Sequence, residues 1–277
     1  GKTLEKGRVT VGACKALKAR AYLWENDYSN LLSVTSELIG KYSLYTEGET
    51  PYADLFNGNA EDADEIILAR EHTHTTGSIT TGNRLNQAFF LKEMSGGDAL
   101  RALTPTGSLV DAYPMADGRL IHESGSTYDP KDPYRDRDPR LAQSIIYPTS
   151  TIRESKTMTW VLYDPESEKS IPGQRYDAKE PSSSGYVWKK YCDWSDHAMI
   201  QILDGGVDVI YFRYADVLLM HAEALLETKG IAASSEIFAI INQLRDRCGG
   251  GRVTEANYTS EDALRTLVRN ERRVELA

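Results

Sequence analysis

Apolar side chains recur mostly at three- and four-residue steps over residues 8–25, where Val9, Ala13, Ala16, Leu17, Ala21, Leu23 and Trp24 are interleaved with Lys15, Lys18 and Arg20. That period gathers the apolar group on one side of an amphipathic helix. Asn26 and Asp27 end it, and a second helix is expected over 28–39, closed by Gly40. Helices joined by so short a turn pack antiparallel, so residues 8–40 read as a helical hairpin, the unit of TPR-like arrays.

The pattern changes over residues 42–208, which hold every proline and most of the glycines. Apolar runs there are short, such as Glu65-Ile66-Ile67-Leu68-Ala69 and Thr159-Trp160-Val161-Leu162-Tyr163. Short strands and long loops are expected. Long loops within a compact domain usually carry function, so any binding face is placed in this section.

Helical periodicity returns over 211–277. Val217, Leu218, Met220, Ala222, Ala224, Leu225 and Leu226 give a broad apolar surface that ends at Gly230. The next helix, over 234–247, has Ser234 or Ser235 as its cap and Ile237, Ile240, Ile241 and Leu244 as its buried stripe. Gly249, Gly250 and Gly251 stop it. A last helix starts near Ser260, with Glu261 and Asp262 complementing its dipole, and runs through Leu264, Leu267, Val268 and Val274. No C-cap follows in 272–277 and the first helix has no preceding partner, so the chain is expected to be a single domain over 1–277, incomplete at both ends. The fold class is mainly α: TPR-like helical hairpins with a large loop-rich insertion carrying short β-strands.

Composition narrows the functional classes. With 40% hydrophobic and 26% charged residues the chain should fold. A formal charge of -9 without a Lys/Arg block disfavours nucleic acid as a partner. No apolar run approaches the roughly 18 residues of a membrane span, and residues 1–5 lack the regions of a signal peptide. Cys14, Cys192 and Cys248 are odd in number and in no zinc-ligand spacing, so they read as thiols, mostly buried.

At the second hairpin, YFRYADVLLMHAEA over 211–224 resembles the signature helix of the SusD/RagB family. Further segments agree in the family's order: LVDAYPM at 109–115 with Asp117-Gly118, RDPRL at 137–141, GYVWKKY at 185–191, INQLRDR at 241–247 and RNERRVELA at 269–277. The resemblance implies an α/α superhelical, SusD-like fold. It also implies a surface-exposed outer-membrane lipoprotein that docks on a SusC-like TonB-dependent transporter and holds an oligosaccharide with its loops. Set beside the family's pattern, the lipid anchor, the N-terminal helices and the stretch after the last motif are expected to lie outside these 277 residues, and part of a glycan site with them.

Sugar binding in water stacks aromatic rings on the apolar face of a pyranose and uses amides, carboxylates and guanidiniums for its hydroxyls. Candidates are Phe89 and Phe90 with Arg84 and Asn86 just before them, Trp160 and Tyr163, and Trp194. The blander reading makes Phe89 and Phe90 core residues at the edge of a helix. Tyr186, Trp188 and Tyr191 match the family framework and are expected to be structural, and Arg137, Asp138 and Arg140 to pin a loop to the helices through charge-assisted hydrogen bonds. Asp129, Asp132, Asp136 and Asp138 lack EF-hand spacing and read as a solvated acidic loop. His72 and His74 share a face if extended, but no third zinc ligand accompanies them, and a loop or sheet-surface pair is expected.

No nucleophile elbow, phosphate loop or dinucleotide fingerprint is found, and neither a catalytic residue nor a cofactor or metal is assigned. The leading expectation is non-catalytic glycan capture. A protein-binding scaffold subunit, capture of peptides instead of glycans, and a hydrolase with paired carboxylates are the alternatives.

Overall fold

The computed structural model describes residues 8–73, 82–89, 100, 102–148, 150–154, 159–161, 174–175, 184–192 and 202–277, with backbone alone for the strands within 151–175. The first hairpin is α1, Val11–Trp24, and α2, Tyr28–Ser36. Thr10 caps α1 by accepting from the Ala13 amide, and Asp27 caps α2 by accepting from the Asn30 amide. Asn26, between them, turns the chain with a left-handed φ of 56°, a conformation Asn tolerates better than most residues.

The buried face of α1 differs from the sequence expectation. Ala13, Ala16 and Ala19 face the core, whereas Val9, Leu17 and Trp24 are 67%, 59% and 80% exposed. The small side chains of that stripe allow α1 to lie close to its neighbours within this chain.

The core is organised around α7, Tyr214–Lys229, every residue of which is buried from Tyr214 to Leu226. It packs against α2, α1, α8 (Ser234–Cys248) and α9 (Glu261–Leu276). Ser260 caps α9, as its sequence suggests. The cap expected at Ser234 or Ser235 is not formed. A 3-10 turn over Gly230–Ala233 runs straight into α8, so Ser234 is already helical and Ser235 donates to Glu255 instead. Gly249 closes α8 in the left-handed conformation at φ 72°.

Among its described residues the middle section carries the expected strands and four short helices that periodicity did not reveal. The helices are α3 (Pro51–Asp54), α4 (Leu85–Phe89), α5 (Gly107–Ala112) and α6 (Pro139–Ser144). They are too short to display a period, and their signals are local: Pro near the start of α3 and α6, and side-chain caps from Thr106 and Asp138. Strand β1, Ile66–Arg70, pairs antiparallel with β7, Val209–Arg213, and ties this section to the start of α7. Strand β2, Ile145–Ile146, pairs with β6, Val187–Trp188. Strands β3 (Thr151–Glu154), β4 (Thr159–Val161) and β5 (Gln174–Arg175) form a separate sheet.

The sequence motifs converge on one buried ionic lattice. The Arg140 guanidinium donates to both Asp138 oxygens at 2.8 and 3.0 Å, to Glu271 at 2.7 Å and to Glu275 at 2.8 Å. Arg245 donates to Glu271 at 2.9 Å and to the Gly118 and Gly251 carbonyls. Arg213 bridges Glu65 and Glu275, and Arg247 does the same. Asp138 and Arg140 thus pin their loop as expected, with α9 supplying Glu271 and Glu275. Burial alone would raise the Glu275 carboxyl, yet Arg247, Arg213 and Arg140 hold it far below the usual carboxylate range. Four guanidiniums and four carboxylates balance in this lattice. Lys190 donates to the Tyr52 hydroxyl and the Ala277 carbonyl beside it, and its ammonium lies over the Phe56 ring. Burial and the adjoining Arg213 push Lys190 well below its ordinary value.

Candidate functional site

The acidic loop over 129–136 is a chain of turns, with Asp129 accepting from the Lys131 amide and Arg135 exposed beside Asp132 and Asp136. Its end is not solvated as expected, because Arg137 and Asp138 are buried. Arg137 donates to the carbonyls of Pro133, Val110 and Tyr113 at 2.7, 2.7 and 2.8 Å, fixing the loop against α5. Burial lowers its guanidinium from the ordinary value while Tyr128, Asp111, Tyr186 and Tyr134 pull it back. Around this anchor the loop holds its tyrosines at a fixed height.

Those tyrosines join the β2–β6 ladder in a belt of half-buried rings. Tyr134 and Tyr147 stack with centroids 4.3 Å apart and planes 17° from parallel. The Tyr134 and Tyr186 hydroxyls are 3.4 Å apart, and Tyr128 lies over Arg137. Trp188, on β6, meets Phe89 at 6.4 Å. Tyr134, Tyr147, Tyr186 and Trp188 rest, half-buried, on a core of Leu109, Val110, Tyr113, Leu141 and Ile145, which positions them. A half-buried ring held in place in this way is the kind of group that packs on the apolar face of a sugar.

The sequence candidates divide. Arg84 is exposed at the start of α4. Phe89 packs on Trp188 and near Cys192 and Ile202, at once a ring of the belt and an edge of a small core. Asn86 is 1% exposed, a correction to the expectation that its amide meets a ligand, because that position of the one-turn helix points inward. Trp160 lies on β4, where the backbone alone is described, and Phe90, Tyr163 and Trp194 fall outside the described residues. Tyr128, Tyr134 and Tyr147 were not singled out from the sequence. Each sits one or two residues from a proline, at Pro130, Pro133 and Pro148, and such neighbours hold a loop extended enough to present a side chain.

His72 is buried, not on a sheet surface, with its amide donating to Asp208; His74 lies outside the described residues. Among the described residues no group of three or more His, Cys, Asp or Glu is placed to hold a metal ion. Cys192 and Cys248 are buried and Cys14 is exposed, and none of the three is joined in a disulfide. No described helix is long and apolar enough to cross a membrane.

Comparison with known proteins places this architecture. The SusD family profile matches residues 64–277. The chain belongs to the SusD family. SusD-like protein P2 of Formosa agariphila is 39% identical over 79 residues, 27% of this chain and 15% of that protein. A SusD-like protein of Bacteroides fragilis superposes with a TM-score of 0.72 at 26% identity, covering 100% of this chain and 53% of its own. A SusD-like carbohydrate-binding protein of the same species gives 0.71 at 24% identity, over 100% and 51%. The chain therefore spans about half the length of these solved SusD-family structures. The residues matched by the family profile take in α7, α8, α9 and the Asp138–Arg140 segment, while α1 and α2 lie before them.

Proposed function

We propose that this chain belongs to a non-catalytic capture protein that holds an oligosaccharide or polysaccharide at the bacterial cell surface and passes it to a SusC-like TonB-dependent outer-membrane transporter. In this reading a lipid anchor attaches the whole protein to the membrane. The observation that carries it is the belt of half-buried rings, Tyr134, Tyr147, Tyr186 and Trp188, held by the Arg137 anchor. Relatives support it, since one solved SusD-like protein is described as carbohydrate-binding and another similar structure contains a xylogluco-oligosaccharide.

Binding and turnover are separated by experiment. The test is retention of the purified chain on a panel of plant, microbial and host polysaccharides, with reducing-sugar release followed in the same samples. Selective retention without release is expected; release of sugar, or the absence of retention on every polysaccharide, would overturn the reading.

A further inference from the structure

A second surface, remote in sequence from the belt, has the make-up of a ligand site. The ends of α1 and α2 and the flanks of α7 and α9 enclose a groove of about 660 Å³ lined by Arg20, Trp24, Tyr28, Glu223, Arg269 and Arg272. That volume is in the range of small-ligand clefts. Trp24 is 80% exposed and stands at the mouth, at the end of α1. The left-handed Asn26 turns the chain so that Tyr28 comes round beside it, the phenol donating to the Asn26 side chain at 3.0 Å. Burial and the carboxylates of Glu223 and Glu227 raise the Tyr28 phenol, which stays a neutral donor.

The charges of the groove are layered. Its carboxylates lie underneath: the side chains of Asp216 and Glu223 are 3% and 8% exposed. The guanidiniums lie above, with the side chain of Arg269 55% exposed. Arg20 donates to Asp216 and to the Tyr211 carbonyl from one nitrogen and stacks on Phe212 at 4.0 Å. Arg272 pairs with Asp216 at 2.8 Å, and Arg269 donates to Glu223 at 3.2 Å through Nε. Arg20, Arg269 and Arg272 thus lie over Asp216 and Glu223, with Glu227 nearby and paired with Arg265. A guanidinium carries five N–H donors, and that of Arg269 gives one to Glu223 and also hydrogen-bonds the Tyr28 phenol, so the rest are available at the groove.

We propose that this groove binds an acidic sugar, with its carboxylate or sulfate on Arg269 and its ring against Trp24. The proposal rests on the glycan-binding reading and adds to it a second subsite and a charge class. A ring platform beside a cationic fork holds a pyranose by its apolar face and its anionic substituent together, and a neutral sugar gains only the first.

The experiment is calorimetric titration of the full chain with oligogalacturonate, with its methyl-esterified counterpart, and with a sulfated galactan oligosaccharide, using the wild type, Trp24→Ala, Arg269→Gln and Arg269→Lys. Oligogalacturonate or the sulfated galactan is expected to bind, the tighter of them naming the anion. Each of Trp24→Ala and Arg269→Gln should weaken that binding about tenfold, the size of one charge-assisted hydrogen bond or ring contact. Arg269→Lys should recover part of the loss, and added salt should weaken the wild type. Trp24 is exposed, so its removal leaves the fold intact. Equal binding of the methyl ester, or acidic binding unchanged by both groove variants, overturns the proposal. If neutral glycans are retained and the loss follows belt variants alone, the capture reading stands and the groove proposal falls; if no glycan binds, both fall.

Discussion

The helical frame and the aromatic belt treat polar and aromatic side chains in opposite ways. In the frame, Arg140, Arg213, Arg245 and Arg247 are buried with Glu65, Asp138, Glu271 and Glu275. In the belt, Tyr134, Tyr147, Tyr186 and Trp188 are left half open on a small core. Charges taken out of water must be matched by partners of fixed geometry, which specifies how α6, α8, α9 and β7 meet. Rings need no such matching and can stay half-buried. The frame therefore spends its chemistry on structure, and the belt keeps its own for a ligand.

The largest effect should come from opening the lattice. Glu275→Ala strands Arg140, Arg213 and Arg247 without a shared partner and is expected to cost about 3–5 kcal/mol, read from chemical denaturation. Next is Gly251→Ala. A Cβ there would lie 2.3 Å from the Asp117 carbonyl carbon and the Gly118 nitrogen, so backbone must move, and a loss of about 1–3 kcal/mol is expected from thermal melts. An unchanged melting temperature would show that the turn at Gly118 yields freely.

The lattice also sets an acid limit. In the unfolded chain Glu275 and Asp138 take up protons near their ordinary values of 4.5 and 3.8, while the folded state keeps both ionised to lower pH. Between the two the unfolded state binds more protons, so their contribution is complete above about pH 5 and declines as pH falls through the folded values. Denaturation midpoints between about pH 6 and pH 3 should fall in the wild type. In Asp138→Asn, already destabilised, the fall should be shallower; an equal slope would remove Asp138 from the account.

Tyr147→Ala, in the belt, should have the smallest effect on stability. Losing a half-buried ring is expected to cost about 1 kcal/mol, well below the lattice change.

The helical hairpins were legible because α2, α7, α8 and α9 repeat apolar groups over several turns. The face of α1 was not, because a period cannot choose between an alanine stripe and a larger apolar one. Arg140 could be read as a loop pin, yet its carboxylate partners Glu271 and Glu275 lie 131 and 135 residues away, a distance no spacing rule spans. The belt shows the same limit. Trp188 reads as framework from its motif, and Tyr134 and Tyr147 give no signal because loop residues carry no period. Only the fold brings them within stacking distance.

The most direct measurement is retention on the polysaccharide that the wild type selects, comparing Tyr147→Ala with a partly destabilised frame variant such as Gly251→Ala, at a temperature where both are folded. The account expects Tyr147→Ala to lose most retention while its fold persists, and Gly251→Ala to bind like the wild type. Full retention by Tyr147→Ala, with loss in the frame variant, would contradict it.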